Sequence, residues 1–331
     1  MGPTTAVVAV TLNCNARCVM CDIWKNRIKD ELEPREFAAL PASLRDINIS
    51  GGEPFLRRDL PAIVAQMKNA CPRARLVIST NGFLPDRIVV QMEEIVRIDP
   101  RIGLRVSLDG YAQKHEEIRG IPGGWEKCMK VLDSARRLGV RDLGIGVTIM
   151  DENVDHLRPL YEFSRERGLE FSLTVVSDSE IYFGADKSEL RPRDQEVLSR
   201  ELGWVVRREY RHTHPKRWFR AWFESRLLQY VLDGHRPLPC DAGSGFFYLD
   251  SLGNVYACHL RHLQMGNIRE QRWQDIWGGE AADGIREQVR GCEQCWMICS
   301  SKSQMRQQLP RITSQVLREK ALAHVRGPSV R

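Results

Sequence analysis

Cys14, Cys18 and Cys21 stand at C-x3-C-x2-C spacing near the start of the chain. Three thiolates on one short loop can hold three irons of a [4Fe–4S] cluster and leave the fourth iron without a protein ligand. An open metal position is what a catalytic site keeps, whereas a structural site closes its coordination shell. A second set lies far downstream, with Cys240 and Cys258 followed by Cys292, Cys295 and Cys299 at C-x2-C-x3-C spacing. Two cysteines flanking a hairpin, joined by a C-x2-C from a later segment, bring four thiolates to one point, and such a set suits zinc as well as iron and sulfide. The i, i+3, i+7 spacing of Cys292, Cys295 and Cys299 predicts that they share a helical face. Cys71 and Cys128 belong to neither set and read as buried or surface thiols.

Elements must carry these loops. Short, β-branched strands are expected at 6–12, 46–50, 74–79, 102–108, 143–150 and 170–176. Amphipathic stretches at 60–70, 85–96, 125–138 and 154–167 separate them. Successive β-α units imply a parallel sheet with right-handed crossovers, doubly wound or a partial barrel, whose ligand site lies at the C-terminal ends of the strands. The first cysteine loop follows the first strand and lies at that end. From 184 to 239 the pattern is helical, rich in Arg, Trp and Phe, and reads as a connecting layer with a solvated cationic face. His212, Thr213 and His214 with Lys216 and Arg217 read as a solvated loop in preference to an anion contact. Residues 246–259 read as a hairpin with Leu252-Gly253-Asn254 at its turn, followed by a turn at Gly266-Asn267-Ile268 and a short helix near 273–277. His259 and His262 flank Cys258 closely enough to line the second site, or are ordinary hairpin residues. A final helix at about 312–324 precedes a basic tail.

Composition narrows the classes further. With 331 residues, 42% of them hydrophobic, the chain can bury one large core and a smaller appendage. A net charge of +6 permits an anionic substrate and falls short of a nucleic-acid signature. No signal peptide and no membrane-length apolar run is seen, so the setting is read as cytoplasmic, where ten cysteines speak for metals or redox chemistry over disulfides.

The loop Asn13-Cys14-Asn15-Ala16-Arg17-Cys18-Val19-Met20-Cys21 resembles the cluster loop of the radical S-adenosylmethionine (radical SAM) enzymes, and the likeness extends over about 4–180. Ser50-Gly51-Gly52-Glu53-Pro54, one β-α unit later, is similar to the family's GGEP segment. Two glycines let a backbone approach a ligand closely, and the resemblance gives Gly51, Gly52 and Glu53 the amino group of SAM. It gives Ser107 and Arg119 the SAM carboxylate and ribose, with Asn81 and Asp109 at neighbouring strand ends, although capping chemistry favours the same residue types. Where the family often has an aromatic residue before the third cysteine, this chain has Met20. The resemblance implies a partial (β/α)6 parallel-strand barrel at 1–183, a helical layer at 184–239, a small hairpin-plus-helix iron–sulfur domain of the twitch or SPASM kind at 240–300, and a C-terminal helix and tail at 301–331. It implies two cofactors besides SAM: a [4Fe–4S] cluster on Cys14, Cys18 and Cys21, and one auxiliary [4Fe–4S] cluster on Cys240, Cys258, Cys292 and Cys295. Cys299 is then a spare thiol, with an alternative ligand or hydrogen-atom donor as its catalytic reading.

The implied chemistry is reductive cleavage of SAM to methionine and a 5'-deoxyadenosyl radical that takes hydrogen from a substrate carbon. A reducing donor such as flavodoxin or ferredoxin is implied with it. A small-molecule substrate (a sugar, an aminocyclitol, or a nucleotide- or lipid-linked intermediate) is preferred to a peptide, because the chain starts almost at its first strand. The alternatives are a RiPP-type peptide maturase and a non-catalytic iron–sulfur or zinc-binding protein. No glycine-rich dinucleotide fingerprint follows the first strand, so an oxidation needs an electron sink other than NAD.

Overall fold

The computed structural model describes residues 2–184 and 186–325. Apolar and β-branched runs form β1 (Thr5–Thr11) and β2 (Asp46–Gly51), then alternate with helices: α1 (Leu60–Ala70), β3 (Arg75–Thr80), α2 (Pro85–Ile98) and β4 (Gly103–Ser107). α3 (Gln113–Arg119) and α4 (Gly124–Arg137) lead to β5 (Asp142–Ile149), α5 (Leu157–Glu166) and β6 (Glu170–Val175). All six strands pair in parallel in the order β6-β5-β4-β3-β2-β1. Each strand lies beside its predecessor, so every crossover runs in one direction. Right-handed crossovers then put the helices on one face and leave the other concave and free for a ligand. A doubly wound sheet would reverse its strand order, so the sheet is the partial barrel. The crossover from β1 to β2 departs from the expected unit: it carries two 3-10 turns, Ile23–Lys25 and Pro34–Ala39, and no α-helix.

Two long helices follow, α6 (Gln195–Arg211) and α7 (Pro215–Asp233). Their cations are largely spent on carboxylates. Arg217 pairs with the buried Glu209 and donates to the Tyr161 hydroxyl at 2.6 Å, while Lys216 and Arg220 both pair with Glu170 on β6. His212, Thr213 and His214 are exposed, as expected of a solvated loop.

The hairpin β7 (Phe246–Leu249) and β8 (Asn254–Tyr256) forms as read, but it does not stand apart. β7 pairs in parallel with β1, and β8 and β9 (Gln264–Asn267) continue antiparallel, giving one nine-stranded sheet. The turn sits at 250–253, one step earlier than expected, because the Asp250 carboxylate accepts the N–H groups of Leu252 and Asn254, each at 2.9 Å. The expected Gly266-Asn267-Ile268 turn is instead the end of β9. α8 (Trp273–Gly278) and α9 (Glu280–Val289) follow, then α10 (Lys302–Gln307) and α11 (Leu309–Val325). The basic tail lies outside the described residues.

Cys292–Cys299 is irregular chain, not a helix. Gly291, at φ +79°, stops α9 in a left-handed conformation. Trp296 is buried, stacks on Phe223 at 5.1 Å and donates to the Phe223 carbonyl, so the segment is anchored by a ring and not by helical bonds. At the N-terminal end of the strands, α10 closes the barrel floor. Lys302 and Arg306 both reach Asp46 on β2, and Arg105 pairs with Asp142 at 2.6 Å across the concave face.

Candidate functional site

Cys14, Cys18 and Cys21 follow β1 at the C-terminal end of the sheet, where ligands of such sheets bind. All three are free thiols, and their charges act on one another, so they face a common space. Burial pushes the Cys14 thiol up to about 11 and Cys21 to about 12, and it raises Cys18 as well. Thiols held in this state release protons when they take metal. Among the described residues no three His, Cys, Asp or Glu side chains close on a single ion. A cluster, which takes one thiolate per iron, does not require that. The donor set therefore fits an iron–sulfur cluster with one open position.

The loop is held from several sides. Asn13 bonds to the main chain of Ile28 in both directions, donating at 2.9 Å and accepting at 3.2 Å, and Glu31 accepts from the Leu12 N–H and the Thr11 hydroxyl. The glycines of 50–54 serve a close approach, but the partner is protein. A Cβ on Gly52 would lie 2.0 Å from the Asn13 carbonyl oxygen, and one on Gly51 2.1 Å from that of Thr11. Gly52 and Glu53 donate their N–H groups to those same carbonyls.

The expected SAM contacts divide in two. Ser107 ends β4 half-buried on the concave face, beside Gly146 of β5, where an added Cβ would meet open space. Thr148 and Thr174 continue this small-residue wall. Four other side chains are already engaged by protein. Glu53 is fully buried and accepts from the Asn81 N–H (2.7 Å), the Thr80 hydroxyl (2.8 Å) and the Phe55 N–H (3.1 Å). Burial raises it to about 7 against the pull of these donors. Asp109 accepts from Thr148 on one oxygen and from two nitrogens of Arg119 on the other. Asn81 donates to Asn15 at 2.8 Å and approaches the Cys14 sulfur at 3.8 Å. Arg119 uses its remaining terminal nitrogen on the Cys18 sulfur at 3.6 Å. Burial works against the Arg119 charge, Asp109 outweighs it, and the net shift is upward. These residues brace the cluster loop.

Tyr182 is what the sequence reading missed. From the loop after β6 its hydroxyl crosses to the end of β2, bonding to the Ser50 hydroxyl and to both N–H and C=O of Gly51, each at 2.9 Å. Its neighbour Phe183 accepts the Asp22 N–H at 2.7 Å, and Glu180 donates to the Leu260 carbonyl at 2.7 Å. Residues 179–183 thus join the first cysteine loop to the second site. Two adjacent aromatics in an aperiodic loop carry no sequence signal for that role.

At the second site all five cysteines come together. Cys240 and Cys292 lie within hydrogen-bond reach of each other, and that contact raises Cys240 and lowers Cys292. Cys258 and Cys299 pack with Cys295, Leu260, Met297 and Phe183. The Cys292 charge acts on both Cys258 and Cys295. Every thiol is free, so the set fits a cluster with one thiol in excess. His259 lies buried against Tyr182, Phe183, Phe246 and Tyr248, and His262 is exposed. Cys71 and Cys128 are buried thiols, each donating to a carbonyl at 3.3 Å.

Comparisons agree with this layout. Residues 8–164 match the radical SAM superfamily, and 240–296 match the SPASM iron–sulfur cluster-binding domain. The chain is 32% identical over 306 residues to an Fe-coproporphyrin III synthase of Methanosarcina barkeri, covering 81% of this chain and 72% of that protein. It is 26% identical to an AdoMet-dependent heme synthase of the same organism, covering 81% and 80%. Among solved structures, anSMEcpe with bound AdoMet and a peptide superposes with a TM-score of 0.63 at 15% identity, covering 96% and 99%. SuiB of Streptococcus suis with bound S-adenosylmethionine gives 0.64 at 17%, covering 86% and 68%. At these identities the structures share a fold with the chain. No helix among the described residues is long and apolar enough to cross a membrane.

Proposed function

The chain belongs to the radical SAM superfamily and carries an auxiliary iron–sulfur domain; we propose that it takes hydrogen from a small, acidic molecule held on the concave face between its two cysteine sites. One observation carries this reading. Above the Arg105–Asp142 pair the concave wall is built of small side chains and one open glycine, Gly146, while two arginines stand towards the second site with no carboxylate within 4 Å among the described residues. Arg191 runs along the end of β6, donating to the Val176 carbonyl at 3.2 Å, and Arg261 directly follows the Cys258 turn, its own N–H on the Cys258 sulfur. An unpaired guanidinium is a ready partner for a carboxylate or phosphate.

The bound cofactors supply one-electron cleavage of SAM and a carbon-centred radical that removes the substrate hydrogen. The protein's part is positional. The Gly51 carbonyl, beside the Tyr182 hydroxyl, the Gly52 carbonyl and the Ser107 hydroxyl would meet SAM, while Glu53, Asn81, Asp109 and Arg119 keep the cluster loop fixed. Cys240, Cys258, Cys292 and Cys295 hold the auxiliary cluster, with Cys299 as the thiol in excess. The reading includes a flavodoxin- or ferredoxin-type donor and a cytoplasmic setting. Relatives named for heme and Fe-coproporphyrin III synthesis, spanning four-fifths of this chain, support a carboxylate-bearing macrocycle as the substrate class to test first.

The test is anaerobic turnover of the loaded enzyme with SAM and a reductant, offering in turn an iron porphyrin bearing carboxylate arms, GTP and a cysteine-containing peptide. The porphyrin should raise 5'-deoxyadenosine formation at least about tenfold and change in mass. Replacing Gly146 by Phe should abolish that stimulation while leaving slow, substrate-free SAM cleavage intact. Stimulation by the peptide alone would refute the small-molecule reading.

A further inference from the structure

Each cysteine site has one arginine aimed at one of its sulfurs, and the two arginines differ in charge balance. Arg119 donates to Cys18 at 3.6 Å, but two of its nitrogens rest on the buried carboxylate of Asp109, so the pair is neutral as a unit. Arg236 follows α7 and donates to the Cys295 sulfur at 3.5 Å. Its other donors go to main-chain carbonyls and a hydroxyl: Cys295, Leu238 (3.2 Å), Ser300 (3.3 Å) and the Ser301 hydroxyl (3.3 Å). Its guanidinium carbon lies 5.5 Å over the Trp296 ring. Among the described residues no carboxylate lies within 4 Å of it. The charge therefore stays uncompensated, and it acts on Cys240, Cys292, Cys295 and Cys299.

We propose that Arg236 is a positioning residue that sets the auxiliary cluster's reduction potential, making that cluster easier to reduce than its thiolates alone would allow. Reduction adds a negative charge to the cluster. A fixed cation a few ångströms away and an N–H on a ligand sulfur both favour the more negative state. A fork bound to rigid carbonyls cannot turn away as the oxidation state changes, so the bias is permanent. At the first site Asp109 cancels most of the corresponding effect. The proposal rests on the reading that the second cysteine group holds a cluster.

The experiment uses the full chain with Cys14, Cys18 and Cys21 replaced by alanine, so that only the auxiliary cluster responds. Iron and sulfide are counted first, then the midpoint potential is followed by EPR. About four irons per chain uphold the cluster reading, and iron-free protein overturns both that reading and the proposal. With iron present, Arg236→Gln should shift the reduced-to-oxidised ratio at a fixed potential at least about tenfold towards oxidised, a fall of about 59 mV for a one-electron couple. Arg236→Lys, which keeps the charge, should stay within about threefold of the parent. Equal potentials in all three proteins overturn the proposal. If Arg236→Gln does not hold iron, the parent protein decides. Its reduced cluster should show a proton coupling that exchanges in heavy water and changes in Arg236→Lys, and exchangeable couplings identical in the two proteins refute the contact.

Discussion

His115 is buried beside Phe83 and Trp125, its Nδ1 facing the Asp109 N–H at 3.4 Å and its Nε2 the Cys128 sulfur at 3.7 Å. Burial, helped by the Arg119 charge, lowers it to about 3. The sign follows from linkage: the unfolded chain takes up the proton near pH 6.5 and the folded one does not. Stability from this residue is therefore present above about pH 6.5 and lost as pH falls towards 3. His115→Gln, which does not titrate, should gain about 1 kcal/mol relative to the wild type between pH 7 and pH 5.5. Urea midpoints at the two pH values measure it, and a constant gap would show that His115 is not held neutral. At this scale the cysteines were legible because their chemistry is written in local spacing. Asp109 was legible as a carboxylate at a strand end and Arg119 as an arginine downstream of it, but not as each other's partners. That pairing is set by the turn of α3 against the end of β4, which no short motif encodes.

Local close approach explains the glycine pair better than ligand binding alone. The end of β2 lies against the carbonyls of Thr11 and Asn13, so Gly52→Ala would drive a methyl to 2.0 Å from backbone and 3.1 Å from the Cys14 Cβ. The cysteine loop must shift to admit it. We expect this variant to keep the auxiliary cluster and lose the other, lowering iron from about eight to about four per chain. Full iron content would mean that the loop can move aside. Strand and helix positions were readable because apolar periodicity is strong in a sheet buried on its helix-covered face. The helical reading of Cys292–Cys299 failed because i, i+3, i+7 spacing is necessary for a helical face but does not create one. There Gly291 and the Trp296 anchor decide the backbone.

For the whole molecule, the governing feature is that β7 completes the first sheet. β1 is buried along its length and bonded on both edges, to β2 and to β7. A chain ending at Pro239 would expose one edge of β1, the side of Phe246 and Tyr248, and the Tyr182 crossing would lose Leu260 and the His259 carbonyl as anchors. Such a fragment should be recovered insoluble or without a cluster. If it stays soluble and binds about four irons, the barrel is autonomous and the boundary near 239 is a true domain limit. The sequence showed the hairpin but not its partner, because a strand's neighbours follow from topology, whereas its existence follows from composition.

The same pairing has a consequence during synthesis. Val7 and Val8 leave the ribosome about 240 residues ahead of their partners Tyr248 and Leu249. At about 5–20 residues per second, the apolar segment Thr5–Thr11 waits roughly 10–50 seconds with one edge open. Any iron delivered in that interval meets a first cysteine loop whose supporting strand is still half-paired. Cluster insertion is thereby biased towards a chain synthesised past β7, and a nascent-chain chaperone has a defined strand to shield.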